Sequence, residues 1–88
     1  MEVTVATLEA RLRDFPGQTY VSVANAGADD KFHVIIVSDH FKGMPLLAQQ
    51  RAVFKFLEEE MKAIHALTMK TWTVEKYAAA TADAAAAP

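Results

Sequence analysis

The run Phe32-His33-Val34-Ile35-Ile36-Val37 constrains the fold more than any other stretch of the chain. Its β-branched residues and near-continuous apolar character predict a central strand, covered on at least one face and flanked by other strands. A turn follows at Lys42-Gly43, and Pro45 suits the first position of a helix, where its missing N–H would be unpaired in any case. Leu46, Val53, Leu57, Met61 and Ile64 then form one helical stripe, widened by Phe54 and Phe56. A continuous helix of about 18 residues would be about 27 Å long. After it, Leu67, Met69 and Thr71 alternate with Thr68, Lys70 and Trp72, which predicts another strand. Strand, crossover helix and strand make a β-α-β unit, with the two strands parallel.

The flanks complete the order. Val5, Leu8, Leu12 and Phe15 recur at helical spacing behind Thr4, a residue suited to cap the first turn, and Pro16-Gly17 ends the pattern, so residues 4–14 read as an amphipathic helix. Thr19-Tyr20-Val21-Ser22-Val23 alternates as a strand, and Asn25 to Asp30 supplies a hairpin connection. Thr73 can cap a short last helix through Tyr77, after which Ala78 to Pro88 is almost all alanine with no face to bury. The expectation is an α+β fold of order α-β-β-α-β-α, with a three-stranded mixed sheet carrying helices on one side. At 88 residues it is one domain over 1–77, followed by a disordered alanine-rich tail over 78–88.

Composition narrows the chemistry. The chain has no cysteine, which excludes disulfides, thiolate nucleophiles and cysteine-ligated zinc or iron-sulfur sites built from this chain alone. A net charge of -2 gives no electrostatic footprint for nucleic acid. No apolar run reaches the roughly 18 residues of a membrane span, and no secretory or transit leader is visible, so the expected compartment is the cytoplasm.

Several local patterns resemble chemistry without carrying it. Ser38-Asp39-His40 has the residue types of a hydrolase triad, but triad members converge from separate elements, and this triplet reads as a turn in which Asp39 bonds a nearby amide and His40 faces water. Glu58-Glu59-Glu60 reads as a solvated helix face, with Glu58 set to pair with Lys62 four residues later. The turn at Gly43 before a long helix offers a helix-turn-helix reading with Gln49, Gln50 and Arg51 as nucleic-acid contacts. Against it, basic residues are scattered, and no Gly-x-x-Gly clamp is present.

The three histidines, His33, His40 and His65, lack the short spacing of a self-contained metal site. His65 follows the long helix and precedes the last strand, where position alone allows two roles: a cap on the negative end of the helix dipole, or a metal ligand at the strand mouth. Parallel pairing of the strands places His33 and His65 at the same sheet end, beside the loop 27–31.

Taken together, Phe32-His33-Val34-Ile35-Ile36-Val37-Ser38, then Phe41-Lys42-Gly43-Met44-Pro45-Leu46-Leu47 with Arg51, then Ile64-His65-Ala66-Leu67-Thr68-Met69-Lys70-Thr71 resemble the BolA family. The resemblance implies a fold like that of class II KH domains and a non-enzymatic role beside monothiol glutaredoxins in iron-sulfur cluster handling and iron regulation. It implies a heterodimer in which a two-iron two-sulfur cluster is shared with the glutaredoxin and glutathione, His65 matching the family's histidine ligand. It further implies partner contacts from Phe41, Lys42, Gly43, Met44, Pro45, Arg51, Lys70 and Thr71. The chain departs from the family pattern in two places. Its loop, Ala26 to Lys31, lacks the usual Cys or His, and the helix reads Gln49-Gln50-Arg51 where the family commonly has Arg-His-Arg. The expected second ligand is therefore His33, a softer nitrogen donor than the carboxylates of Asp29 or Asp30. A KH-like or helix-turn-helix transcriptional regulator is the alternative function.

Overall fold

A computed structural model describes residues 3–27 and 31–86, with side chains described through Thr81. The first helix, α1 (Val5–Leu12), is opened by a capping box: the Thr7 amide donates to the Thr4 hydroxyl, and the Thr4 amide donates to the Thr7 hydroxyl. This reciprocal pairing satisfies donors that have no partner inside the helix. Leu8, Leu12 and Phe15 are buried, as the spacing predicts. Strands β1 (Gln18–Asn25) and β2 (Lys31–Ser38) pair antiparallel, and the Ala26 amide closes their loop by donating to the Lys31 carbonyl.

Strand β3 (Ala66–Trp72) pairs parallel with β2, so the sheet order is β1-β2-β3 and the apolar run is central, as expected. Phe32, Val34 and Ile36 alternate into the core with Leu8, Leu12, Phe41, Val53 and Leu57. The other face of β2 carries His33, Ile35 and Val37. Between the strands, Asp39–Phe41 forms a short 3-10 turn. Its cap is Ser38 and not Asp39: the buried Ser38 hydroxyl accepts from the His40 amide and donates to the Pro16 carbonyl. That engagement removes Ser38 from any nucleophilic role, while His40 stays exposed with its ring edge-on to Phe15.

The long crossover helix differs from its expectation. It consists of α2 (Leu46–Phe56) and α3 (Glu58–Met61), separated at Leu57, whose φ of -96° and ψ of 19° lie outside the helical region. Leu57 is fully buried while Glu58 and Glu59 are exposed, so bending there keeps the apolar side chain in the core and the carboxylates in water. Pro45 is the residue before the first helical position, its carbonyl accepting from the Gln49 amide. Leu46 and Phe54 lie outside the core and are 59% and 39% exposed. Lys62 pairs with Glu59 at 3.2 Å and not with Glu58, because the short α3 ends before a four-residue spacing is completed.

The last helix, α4 (Val74–Ala86), runs past Tyr77, where the sequence reading ends it, and residues 87–88 of the expected tail lie outside the described residues. Alanine has the highest intrinsic helix propensity, so the segment continues as helix even though Ala78 to Thr81 are exposed. While α1 and α2 cover one face of the sheet, Tyr77 of α4 stacks on Tyr20 and meets Trp72 edge-on. Tyr20 and Trp72 both pair with Val37, so α4 covers the opposite face at that end and buries Val37.

Candidate functional site

The parallel register places the two histidines as expected at one sheet end: Lys31 pairs with Ala66 and His33 with Thr68. His65 stands one residue before β3, exposed, after the turn that closes α3. That turn is satisfied by its own backbone, with the Ala63 amide donating to the Glu60 carbonyl and the Ile64 amide to the Met61 carbonyl. Among the described residues, no hydrogen bond or ion pair engages the His65 ring. Its nitrogens contact no helix carbonyl among the described residues, so the ring forms no hydrogen-bonded cap.

His33 is half-buried on the sheet face away from the core, since Phe32 and Val34 on either side are the residues buried against the helices. Its Nδ1 lies 2.7 Å from the Thr68 hydroxyl, which reaches back to the Phe32 carbonyl at 3.5 Å. Nδ1 is thereby paired with the Thr68 hydroxyl, and Nε2 has no partner among the described residues. The ring is thus fixed sideways against β3. Thr68 is a residue that the pattern of apolar and polar positions could not single out, because only the register of β2 on β3 brings it to His33. The third histidine, His40, lies beyond the opposite end of β2.

Asp29 and Asp30, the carboxylates considered as second ligands, lie outside the described residues. Among the described residues, no three His, Asp or Glu side chains converge as a metal site. Among the described residues, this end of the sheet offers a metal the imidazole nitrogens of His33 and His65.

The residues expected to meet a partner gather at the other end of the molecule. Met44 and Pro45 border a groove of about 510 Å³ shared with Lys70 and Thr71. Lys42, Gly43, Pro45, Arg51 and Lys70 are exposed, and Met44 is half-buried. Phe41 and Thr71 are not surface residues: Phe41 is 0% and Thr71 9% exposed. Phe41 packs in the core against Phe15, and the Thr71 hydroxyl donates to Gln49 Oε1 at 2.7 Å. Gln49 is itself buried, with its Nε2 donating to the Met44 carbonyl. It ties α2 to β3 and has no amide edge left for a base, which removes one of the three contacts of the helix-turn-helix reading. The groove begins at Met69, about 13 Å along β3 from His65, and extends away from the histidine end to Trp72.

Comparison with known proteins agrees with this architecture. A family model described as BolA-like protein matches residues 13–76. BolA-like protein 2 of Saccharomyces cerevisiae is 35% identical over 80 residues, covering 88% of this chain and 67% of the relative. BolA-like protein 2 of Mus musculus is also 35% identical over 80 residues, covering 88% of this chain and 93% of the relative. Among solved structures, a bol-like protein from Babesia bovis superposes with a TM-score of 0.83 at 32% identity, covering 92% of this chain and 96% of that one. No described helix is long and apolar enough to cross a membrane. The parallel β2-β3 pair, the helices it carries and the matched sequence place this chain in the family of BolA-like proteins.

Proposed function

We propose that this chain is a non-enzymatic binding protein that pairs with a monothiol glutaredoxin and lends His65 to a two-iron two-sulfur cluster. The observation that carries the reading is the unengaged His65 ring at the mouth of β3, in a member of the BolA-like family. With no cysteine, the chain leaves the thiolate ligands to the glutaredoxin and glutathione. His33 is the second nitrogen donor: its Nδ1 is held by Thr68, the arrangement by which ligating histidines are commonly oriented from behind. When bound, the cluster supplies iron and sulfide for transfer or sensing. The residues of this chain set its exposure and the number of nitrogen ligands. The exposed side of Lys42, Gly43, Pro45 and Arg51 adds contacts to the partner, and Phe41 and Thr71 support that surface from beneath.

The test mixes this chain with a monothiol glutaredoxin, iron, sulfide and glutathione, and records visible absorption and circular dichroism. The expected result is a spectrum that differs from the glutaredoxin's own cluster and changes with His65→Ala, with a smaller change for His33→Ala. A spectrum indifferent to His65→Ala removes the ligand role.

The alternative, nucleic-acid binding, is favoured by one relative, the DNA-binding transcriptional regulator BolA of Escherichia coli. It is 33% identical over 61 residues, covering 68% of this chain and 58% of that protein. A salt titration of binding to duplex DNA decides it, because phosphate contacts weaken as counterions are added.

A further inference from the structure

Met69, Lys70, Thr71 and Trp72 are consecutive, yet all four line the same groove, opposite Leu46 and Gln50 of α2. Successive side chains of a strand point to opposite faces, so a groove lined by four in a row follows the strand's edge. β3 is an outer strand, and among the described residues its backbone takes part in no backbone hydrogen bond outside the β2 ladder. Its outward N–H and C=O groups are a template for another strand. The floor and lip are apolar: Met69 and Trp72 on one wall, Met44 and the 59% exposed Leu46 on the other.

Charge selects the occupant. The groove's charged side chains are Lys70 and Lys76, with no carboxylate among its lining residues, on a chain whose net charge is -2. Lys42, nearby, is drawn to Glu75 at 3.8 Å. A second copy paired antiparallel about this segment would bring Lys70 toward its own equivalent, a like-charge arrangement that disfavours self-pairing. An acidic strand meets both lysines favourably. We propose that the β3 edge is a docking site for an extended acidic peptide, added as a fourth strand along residues 69–72. Backbone hydrogen bonds to β3 give the affinity. Alternate apolar side chains of the peptide rest on Leu46 and Met69 on the α2 face, and its carboxylates pair on the other face with Lys70 and Lys76. This surface begins about 13 Å from His65 along β3 and needs no metal.

The test uses the full chain without iron and a fluorescein-labelled peptide of about eight residues alternating glutamate and valine, a length sufficient for one added strand. Anisotropy is expected to show saturable binding, and amide exchange is expected to slow at residues 69–72. The Lys70→Glu/Lys76→Glu double variant changes two exposed side chains and keeps the native circular dichroism. It is expected to weaken binding roughly tenfold. Methylating alternate peptide amides is expected to abolish binding. The proposal is overturned by absence of binding, by unchanged exchange at 69–72, or by equal affinity for a lysine-valine peptide. Displacement of the peptide by a tighter-binding single-stranded oligonucleotide assigns the groove to nucleic acid instead. Dimerisation through residues 69–72 without peptide assigns it to a second copy.

Discussion

At the scale of single residues, two glycines with the same backbone sign have different surroundings. Gly17 has φ +69°, and a Cβ there would lie 3.1 Å from the His40 amide nitrogen and 3.2 Å from the Ser38 hydroxyl. Gly43 has φ +78° with nothing within 4 Å. Gly43→Ala therefore carries only the left-handed strain, about 1 kcal/mol, whereas Gly17→Ala also disturbs the Ser38 cap and is expected to cost about 2–3 kcal/mol. Urea unfolding of both variants checks the order: Gly17→Ala has the lower midpoint. Little of this is legible in sequence, where both glycines mark turns, because the crowding at Gly17 comes from the far end of β2. The histidines divide in the same way. That His65 lies at the strand mouth follows from periodicity, but that its ring is unengaged while His33 is held by Thr68 follows only from the packed register.

At the scale of elements, the joint between α2 and β3 is polar and buried. Thr71 donates to Gln49 Oε1, and Gln49 donates to the Met44 carbonyl, all within a buried seam. Removing one partner strands the other, so Thr71→Val or Gln49→Leu alone is expected to destabilise by about 1–3 kcal/mol. The double variant is expected to cost less than the sum, and a double-mutant cycle in urea measures the difference. The last helix is held differently, by rings. Tyr77 stacks on Tyr20 at 5.5 Å between centroids and meets Trp72 at 5.9 Å, over the buried Val37. Tyr77→Ala is expected to lower the melting temperature and to speed amide exchange around Val37, the two effects together locating the loss at that end of the sheet. The sequence shows Tyr77 as the last non-alanine aromatic before a bland tail. Its role depends on Tyr20, which is distant in the chain.

At the scale of the whole molecule, ion pairs among the described residues decorate the surface, such as Lys42 with Glu75 and Lys62 with Glu59, in which both side chains are largely exposed. Arg11 is better engaged: its guanidinium lies 4.2 Å from the Phe56 ring centroid and 3.7 Å from Glu60. Exposed pairs contribute little and are screened by salt, so 1 M sodium chloride is expected to shift the melting temperature by no more than about 3 °C. The histidine pole and the groove sit at opposite ends of β3. His65→Ala and Lys70→Glu are thus expected to have additive effects on stability, within about 0.5 kcal/mol of the sum of the singles, as calorimetry can check.

The sequence by itself determined the order of elements, the parallel pairing of the last two strands and the central place of the run 32–37. These depend on local periodicity and on the handed, short connections that such periods allow. It also determined that the chain has no thiolate of its own to offer a metal or cluster. Only the tertiary structure decided where the crossover helix breaks, because Leu57 is buried against partners from elsewhere in the chain. It alone placed Phe41 and Thr71 beneath the surface, turned Gln49 inward and separated the expected site residues into two poles. Register and packing join residues far apart in the chain, and no local period records them.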